Sequence, residues 1–190
     1  LFFANETFER LQNESEARTH LESHYRSMLQ HVPDFENQWS NNPVGFLGTL
    51  RVNRWHHGNT VLVGDASHAI VPFYGQGMNA AFEDVRRLDE IHASGVKNLP
   101  EVLFKERKPN ADAIAEMALM NFVEMRDHVG DPVFLSRKAL ERKLGRWFPK
   151  MFTPLYDRVS FSNQPYADAL RNGRRQDQLL RRLQSLGLGR

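Results

Sequence analysis

Gly64 and Asp65 close an apolar run, Val61-Leu62-Val63, after which the chain passes Pro72, Gly75 and Gly77 and enters a helical pattern at Met78 and Asn79. A carboxylate leaving the end of a strand can accept hydrogen bonds from ribose hydroxyls. Gly64 allows close backbone approach, Pro72 stiffens the turn, and Gly75 and Gly77 supply conformational freedom with no side chain in the way. The N–H groups that a helix start leaves unpaired, with the positive end of its dipole, can face an anion or an electron-rich ring edge. These residue types in this order point to a site for a nucleotide cofactor. No Lys or Arg occurs between Arg54 and Arg86. Negative charge at the site must therefore meet main-chain dipoles or cations from elsewhere.

A second constellation lies downstream. Ile114, Met117, Ala118, Asn121, Met125 and His128 recur at three- and four-residue steps and share one helical face, with Glu124 on its flank. An amide and a carboxylate among methionines on an inward face need partners. They either hold a ligand or bond to neighbouring helices.

The wording of both segments is similar to a known family. Gly64-Asp65, Pro72 and Gly75-Gln-Gly-Met-Asn79 resemble the second flavin-contacting motif of the class A, FAD-dependent aromatic hydroxylases. Asn121-Phe-Val-Glu-Met-Arg-Asp-His128 resembles a substrate-facing helix of that family, and Phe148-Pro-Lys-Met-Phe-Thr-Pro-Leu-Tyr156 its later helical region. The resemblance covers roughly residues 1–165. It implies FAD as cofactor and NADPH as reductant, with oxygen transferred from dioxygen to an electron-rich aromatic ring. It implies cofactor contacts from Gly64, Asp65, Pro72, Gly75, Gly77, Met78 and Asn79. Phe73, Tyr74, Gln76, Asn121, Glu124 and Met125 would contact the substrate, an aromatic amino acid of the kynurenine type. No catalytic side chain and no metal ligand is assigned.

Members of that family begin with a strand, a Gly-x-Gly-x-x-Gly turn and a helix that hold the ADP half of FAD. This chain has no such start, so the expectation is a C-terminal portion that works with the N-terminal half of the enzyme. Gly75-Gln-Gly-Met-Asn-Ala80 fits G-x-G-x-x-A, but it follows Pro-Phe-Tyr instead of a strand, and the acid nearest the required spacing is Glu101. Two other arrangements lack their context. His20 and His24 are four apart, yet Leu21 stands where a metalloprotease motif needs Glu. Asp65, Ser67 and His68 include the residue types of a hydrolytic triad without a nucleophile elbow around Ser67. Two other function classes stay open: a flavin hydroxylase for another aromatic, and a non-catalytic helical module.

Composition frames these readings. With 190 residues and 41% hydrophobic content the chain can bury a core, and it has no cysteine for disulfides or thiolate metal sites. No apolar run reaches membrane-spanning length and no signal-peptide pattern is present, so the expected location is cytoplasmic. The formal charge of +2 conceals a basic tail: residues 171–190 carry six Arg against Asp177. Leu179, Leu180, Leu183 and Leu186 recur there at helical spacing. The tail reads as a helix that packs its leucines on the body; the alternative is weak contact with an acidic membrane surface. No nucleic-acid partner is expected.

The expected fold class is α+β and mostly helical, with a few strands near the N-terminus and a helical C-terminal region. By resemblance it is the C-terminal part of a p-hydroxybenzoate hydroxylase-like FAD monooxygenase fold. Three regions are expected: 1–52, a remainder of a substrate or sheet domain; 53–93, the strand-turn-helix segment; and 94–190, a helical domain with the basic tail. Phe2 and Phe3 predict a strand end and Asn5 a helix cap. Helices are predicted over 16–31, 78–93, 100–108, 111–128, 132–145 and 164–186. Strands are predicted at 44–52 and 61–63, joined through a turn at Trp55-His-His-Gly-Asn59.

Overall fold

Asn13 opens the longest helix of the first fifty residues, its Oδ1 accepting from the N–H groups of Ser15 at 3.0 Å and Glu16 at 3.2 Å. In the computed structural model, which describes residues 5–45, 47–128, 131–149 and 151–187, that helix is α2, Glu14–Leu29. It lies between α1, Asn5–Arg10, and α3, Phe35–Asn41. Leu11, Ala17, Leu21 and Phe35 are buried together, and Trp39 donates its indole N–H to the Leu11 carbonyl at 2.8 Å. The helix α3 is not in the sequence reading. Its residues pair an apolar Phe35 and Trp39 at a four-residue step, and packing against α2 stabilises a helix too short to form alone. The strand end expected at Phe2 and Phe3 lies outside the described residues, as does the His128 side chain.

By its contacts the chain divides into two units, 1–46 and 47–190. The second begins with an extended segment. Leu50 N–H donates to the Ala69 carbonyl at 2.8 Å and Val52 N–H to the Ser67 carbonyl at 3.3 Å. Among the described residues of 44–52 the expected strand is not formed, because these two bonds run to residues 67 and 69, which belong to no strand. A two-residue hairpin follows: β1, His56–His57, pairs antiparallel with β2, Thr60–Val61, through a turn in which Gly58 has φ +54°. The strand expected at 61–63 is thus confined to its first residue. Leu62 and Val63 are only half-buried, and no neighbouring strand flanks them among the described residues.

Helices make up the rest. The four-residue α4, Asp65–His68, leads into a single 3-10 turn, Pro72–Tyr74, which ends at Gly75 with φ +66°. Then come α5, Gly77–Ala93, α6, Leu99–Val123, and a π-helical turn over Glu124–His128. The chain finishes with α7, Pro132–Trp147, α8, Leu155–Ser160, and α9, Tyr166–Ser185. The two helices expected at 100–108 and 111–128 are one. Pro109 lies inside α6, where a proline costs about 3 kcal/mol. Leu103 and Arg107 before it, and Ala111, Ile114, Ala115 and Ala118 after it, are all buried along the same helix. That continuous burial outweighs the local penalty.

The core of this unit lies where α6 meets α5, α9 and the 3-10 turn. Val71, Tyr74, Ala80, Ile114, Met117, Tyr166 and Leu170 pack together there. Residues 171–185 of the basic tail belong to α9. It buries Leu180 against Leu140 and Phe152, with Leu183 beside them, while Leu186 stays exposed. Two of the four leucines, Leu180 and Leu183, thus pack on the body, and Leu179 and Leu186 face outward.

Candidate functional site

Gly64 begins the site. Its φ of +59° is a conformation that favours glycine, and an added Cβ would meet Ala81 Cβ of α5 at 3.2 Å. The close approach read from this glycine is therefore made by α5 itself. Its N–H donates to Asp84 Oδ2 at 3.1 Å.

Asp84 is the centre of a buried network. It has no exposed surface, receives His68 Nε2 at 2.6 Å on Oδ2 and receives Arg107 Nε at 2.7 Å on Oδ1. Arg107, also buried, reaches Glu83 at 2.8 Å and the Ala80 carbonyl at 3.3 Å. The acceptor-only carboxylate requires the imidazole proton on Nε2. Burial alone pushes the Asp84 carboxyl up, but hydrogen bonds from His68, Arg107 and Gly64 outweigh it and hold the group below the usual carboxylate range. These residues tie α4, α5 and α6 into one rigid block behind the turn. The sequence reading assigned none of them. The available signal was an acid on the buried face of α5, four residues after Ala80 and seven before Ile91.

On this block stand the expected cofactor residues. Asp65 is exposed at the start of α4, and its carboxylate has no hydrogen bond or ion pair among the described residues. Pro72 opens the 3-10 turn. Gly75 follows it in the left-handed region, and no atom lies within 4 Å of where its Cβ would be. The start of α5 has no side-chain cap, so the N–H groups of Gly77, Met78 and Asn79 keep their donors. Gly64 packs against Ala81 and Gly77 near Ile70. The segment 64–70 therefore runs alongside the first turns of α5. A cleft of about 310 Å³ opens beside Gln76, Asn79, Phe82 and Tyr166. An uncapped helix start, two glycines with no Cβ and a free carboxylate fit an anionic, hydroxyl-bearing cofactor.

The expected substrate residues divide. Phe73 stacks on Phe122 with centroids 4.6 Å apart, and its carbonyl accepts from Asn121 Nδ2 at 2.7 Å. The turn and the face of α6 are thus brought together as expected. Glu124 pairs with Lys138 Nζ of α7 at 3.0 Å, a partner that the sequence does not reveal. Tyr74 is buried and stacks on Tyr156 at 5.6 Å; burial, then the charge of Glu124, pushes its hydroxyl up.

Two residues differ from expectation. Gln76 is turned inward, because its Oε1 accepts from Asn79 Nδ2 at 2.8 Å and from the Tyr166 hydroxyl at 3.3 Å. It clamps the turn from behind. Burial first, then Glu83, push that tyrosine's pKa up to about 12, so it remains a donor. Met125, expected on an inward face, is 54% exposed, and Met120 and Val123 before it are exposed too, because the end of α6 has left the core before the π-helical turn begins. No group of three metal-ligating side chains occurs among the described residues.

The site is thus an uncapped glycine turn beside a free carboxylate, held by a buried Asp-His-Arg network. Residues 6–117 match the family described as FAD binding domain, and the chain belongs to that family. Among curated relatives, kynurenine 3-monooxygenase of Stenotrophomonas maltophilia is 42% identical over 186 residues, 95% of this chain and 41% of the relative. The enzyme of the same name from Dictyostelium discoideum is 45% identical over 168 residues, 80% of this chain and 36% of the relative. That from Myxococcus xanthus is 46% identical over 162 residues, 84% and 35%. The family resemblance read from the motifs is borne out. The chain spans about two fifths of the length of the relatives it matches.

Proposed function

We propose that this chain forms the flavin-ring and substrate-pocket portion of an FAD- and NADPH-dependent monooxygenase that converts L-kynurenine to 3-hydroxykynurenine, within a p-hydroxybenzoate hydroxylase-like fold. The observation that carries it is the uncapped start of α5 beside the unpaired Asp65 carboxylate, joined through Phe73 and Asn121 to α6. The names of the relatives support the substrate. When bound, FAD supplies the redox chemistry and the activation of dioxygen.

The protein's share is placement and electrostatics. Asp65 would accept from cofactor hydroxyls, and the N–H groups of Gly77, Met78 and Asn79 would stabilise negative charge on the cofactor. Pro72 and Phe73 wall the site and exclude water. Asn121 holds the Phe73 carbonyl and so fixes that wall. Glu124 and Lys138, already paired, are complementary to the ammonium and carboxylate of an amino acid. Met78, Phe82 and Val85, one stripe on the outside of α5, are 68%, 65% and 51% exposed. They form a seat for the part of the enzyme that this chain does not match.

The test is a chimera in which these 190 residues replace the matching segment of the Stenotrophomonas maltophilia enzyme. It should bind FAD and couple NADPH oxidation to formation of 3-hydroxykynurenine. Preference for another aromatic in a substrate panel overturns the kynurenine assignment, and a folded chimera without flavin overturns the cofactor site. No helix among the described residues is long and apolar enough to cross a membrane.

A further inference from the structure

A cleft of about 600 Å³ opens between the 51–53 segment, α6 and α9, and shares no lining residue with the flavin-contacting turn. Its size is that of an ordinary small-molecule site. Its lining holds five cations, Arg51, Lys108, Arg171, Arg174 and Arg175, against two carboxylates, Asp112 and Glu116. Three of the cations are engaged: Lys108 with Asp112 at 2.8 Å, Arg171 with Asp168 at 3.1 Å, and Arg174 with Glu116. Arg51 and Arg175 are exposed and pair with no carboxylate among the described residues. Between the charged groups lies apolar surface, chiefly from Pro109 and Ala167, with Ala113 and Leu170 buried beneath it.

We propose that this cleft binds a nucleotide carrying at least two phosphate groups, with Arg51 and Arg175 taking the phosphates and the apolar wall taking the base. Guanidinium forks match phosphate oxygens bidentately, and a charge of this sign with no internal partner favours an anionic ligand. The ligand is compact. The site is concave, and Asp112 and Glu116 in its wall repel a continuous polyanion such as nucleic acid or an anionic bilayer. The proposal stands apart from the assignment of the flavin-contacting turn, because the two surfaces share no residue.

Calorimetric titration of the whole chain with ADP, adenosine 2′,5′-bisphosphate and inorganic pyrophosphate tests it. Saturable one-to-one binding is expected, at least fivefold tighter for the adenine-bearing probes than for pyrophosphate. The ratio between the two adenine probes separates a free nucleoside diphosphate from the phosphorylated end of a dinucleotide reductant. Arg51→Glu and Arg175→Glu should each weaken binding at least tenfold. Arg182→Glu, on the same helix but outside the cleft, should change it less than twofold. Unchanged far-ultraviolet circular dichroism confirms folding, and Arg51→Gln gives a milder version of the same loss. Four results overturn the proposal. They are no saturable binding, equal sensitivity to Arg182→Glu, displacement of ADP by heparin or anionic vesicles with that same sensitivity, and loss of ADP binding in Asp65→Ala, which would place the nucleotide at the turn.

Discussion

His68 Nε2 lies 2.6 Å from Asp84 Oδ2 in the interior, and the same carboxylate takes Arg107 and the Gly64 N–H, so one acid on α5 holds the residue before Asp65 in place. Removing one member of a buried ionic network leaves the others uncompensated, which costs about 3–5 kcal/mol. Asp84→Asn should lose that much stability in urea unfolding. A loss below about 1 kcal/mol, the range of surface ion pairs, would mean that the network is not a structural centre.

The pH dependence follows from the same carboxyl. Its pKa in the folded chain is below the ordinary value of 3.8, so the stability it contributes is fully present above 3.8 and is lost as pH falls through the folded value. The urea midpoint of the unaltered chain should therefore fall steeply below about pH 4, with a flatter decline in Asp84→Asn. Identical acid limbs would remove Asp84 as the responsible group.

Two glycines separate strain from contact. Gly64 and Gly75 both have positive φ, +59° and +66°, but only at Gly64 would a Cβ meet a neighbour, Ala81 Cβ at 3.2 Å. Gly75→Ala should cost about 1–2 kcal/mol, the strain of a left-handed alanine. Gly64→Ala should cost more, and Ala81→Gly in that background should recover the difference. Equal losses without recovery would show that α5 does not press on Gly64.

The Asp65 carboxylate is exposed and has no protein partner, so Asp65→Ala should leave thermal stability unchanged. In the chimera its flavin affinity, read by fluorescence titration, should fall about tenfold or more, the worth of a hydrogen bond to a charged group. Unaltered affinity would remove the ribose assignment.

Glu124→Gln weakens the pair with Lys138 at 3.0 Å and should raise the apparent KM for kynurenine with kcat nearly unchanged. Asn121→Ala frees the Phe73 carbonyl and should lower kcat as well, because the wall of the site moves. Steady-state kinetics of the two chimeras distinguishes them, and matching effects would merge their roles.

Much of the helical order was legible. The start of α5 after Gly77, the Pro132 start of α7 and the Gly58 turn rest on backbone preferences of single residues, and these act locally. What escaped depends on distant partners. Pro109 looks like a break, and only burial on both sides of it keeps α6 whole. Gln76 looks like a ligand group, and bonds from Asn79 and from Tyr166, ninety residues away, hold it inward. Met125 follows the periodicity of α6, but the end of that helix has already left the core.

The sequence by itself determined where a glycine turn stands, the order of its glycines and the acid beside it, because those are properties of contiguous backbone. The tertiary structure decided which polar groups remain free to meet a ligand. Asp65 keeps an open carboxylate while Asp84, nineteen residues later, is consumed by His68 and Arg107. A buried charge persists only when partners from other elements enclose it, and that enclosure exists only after the helices have packed.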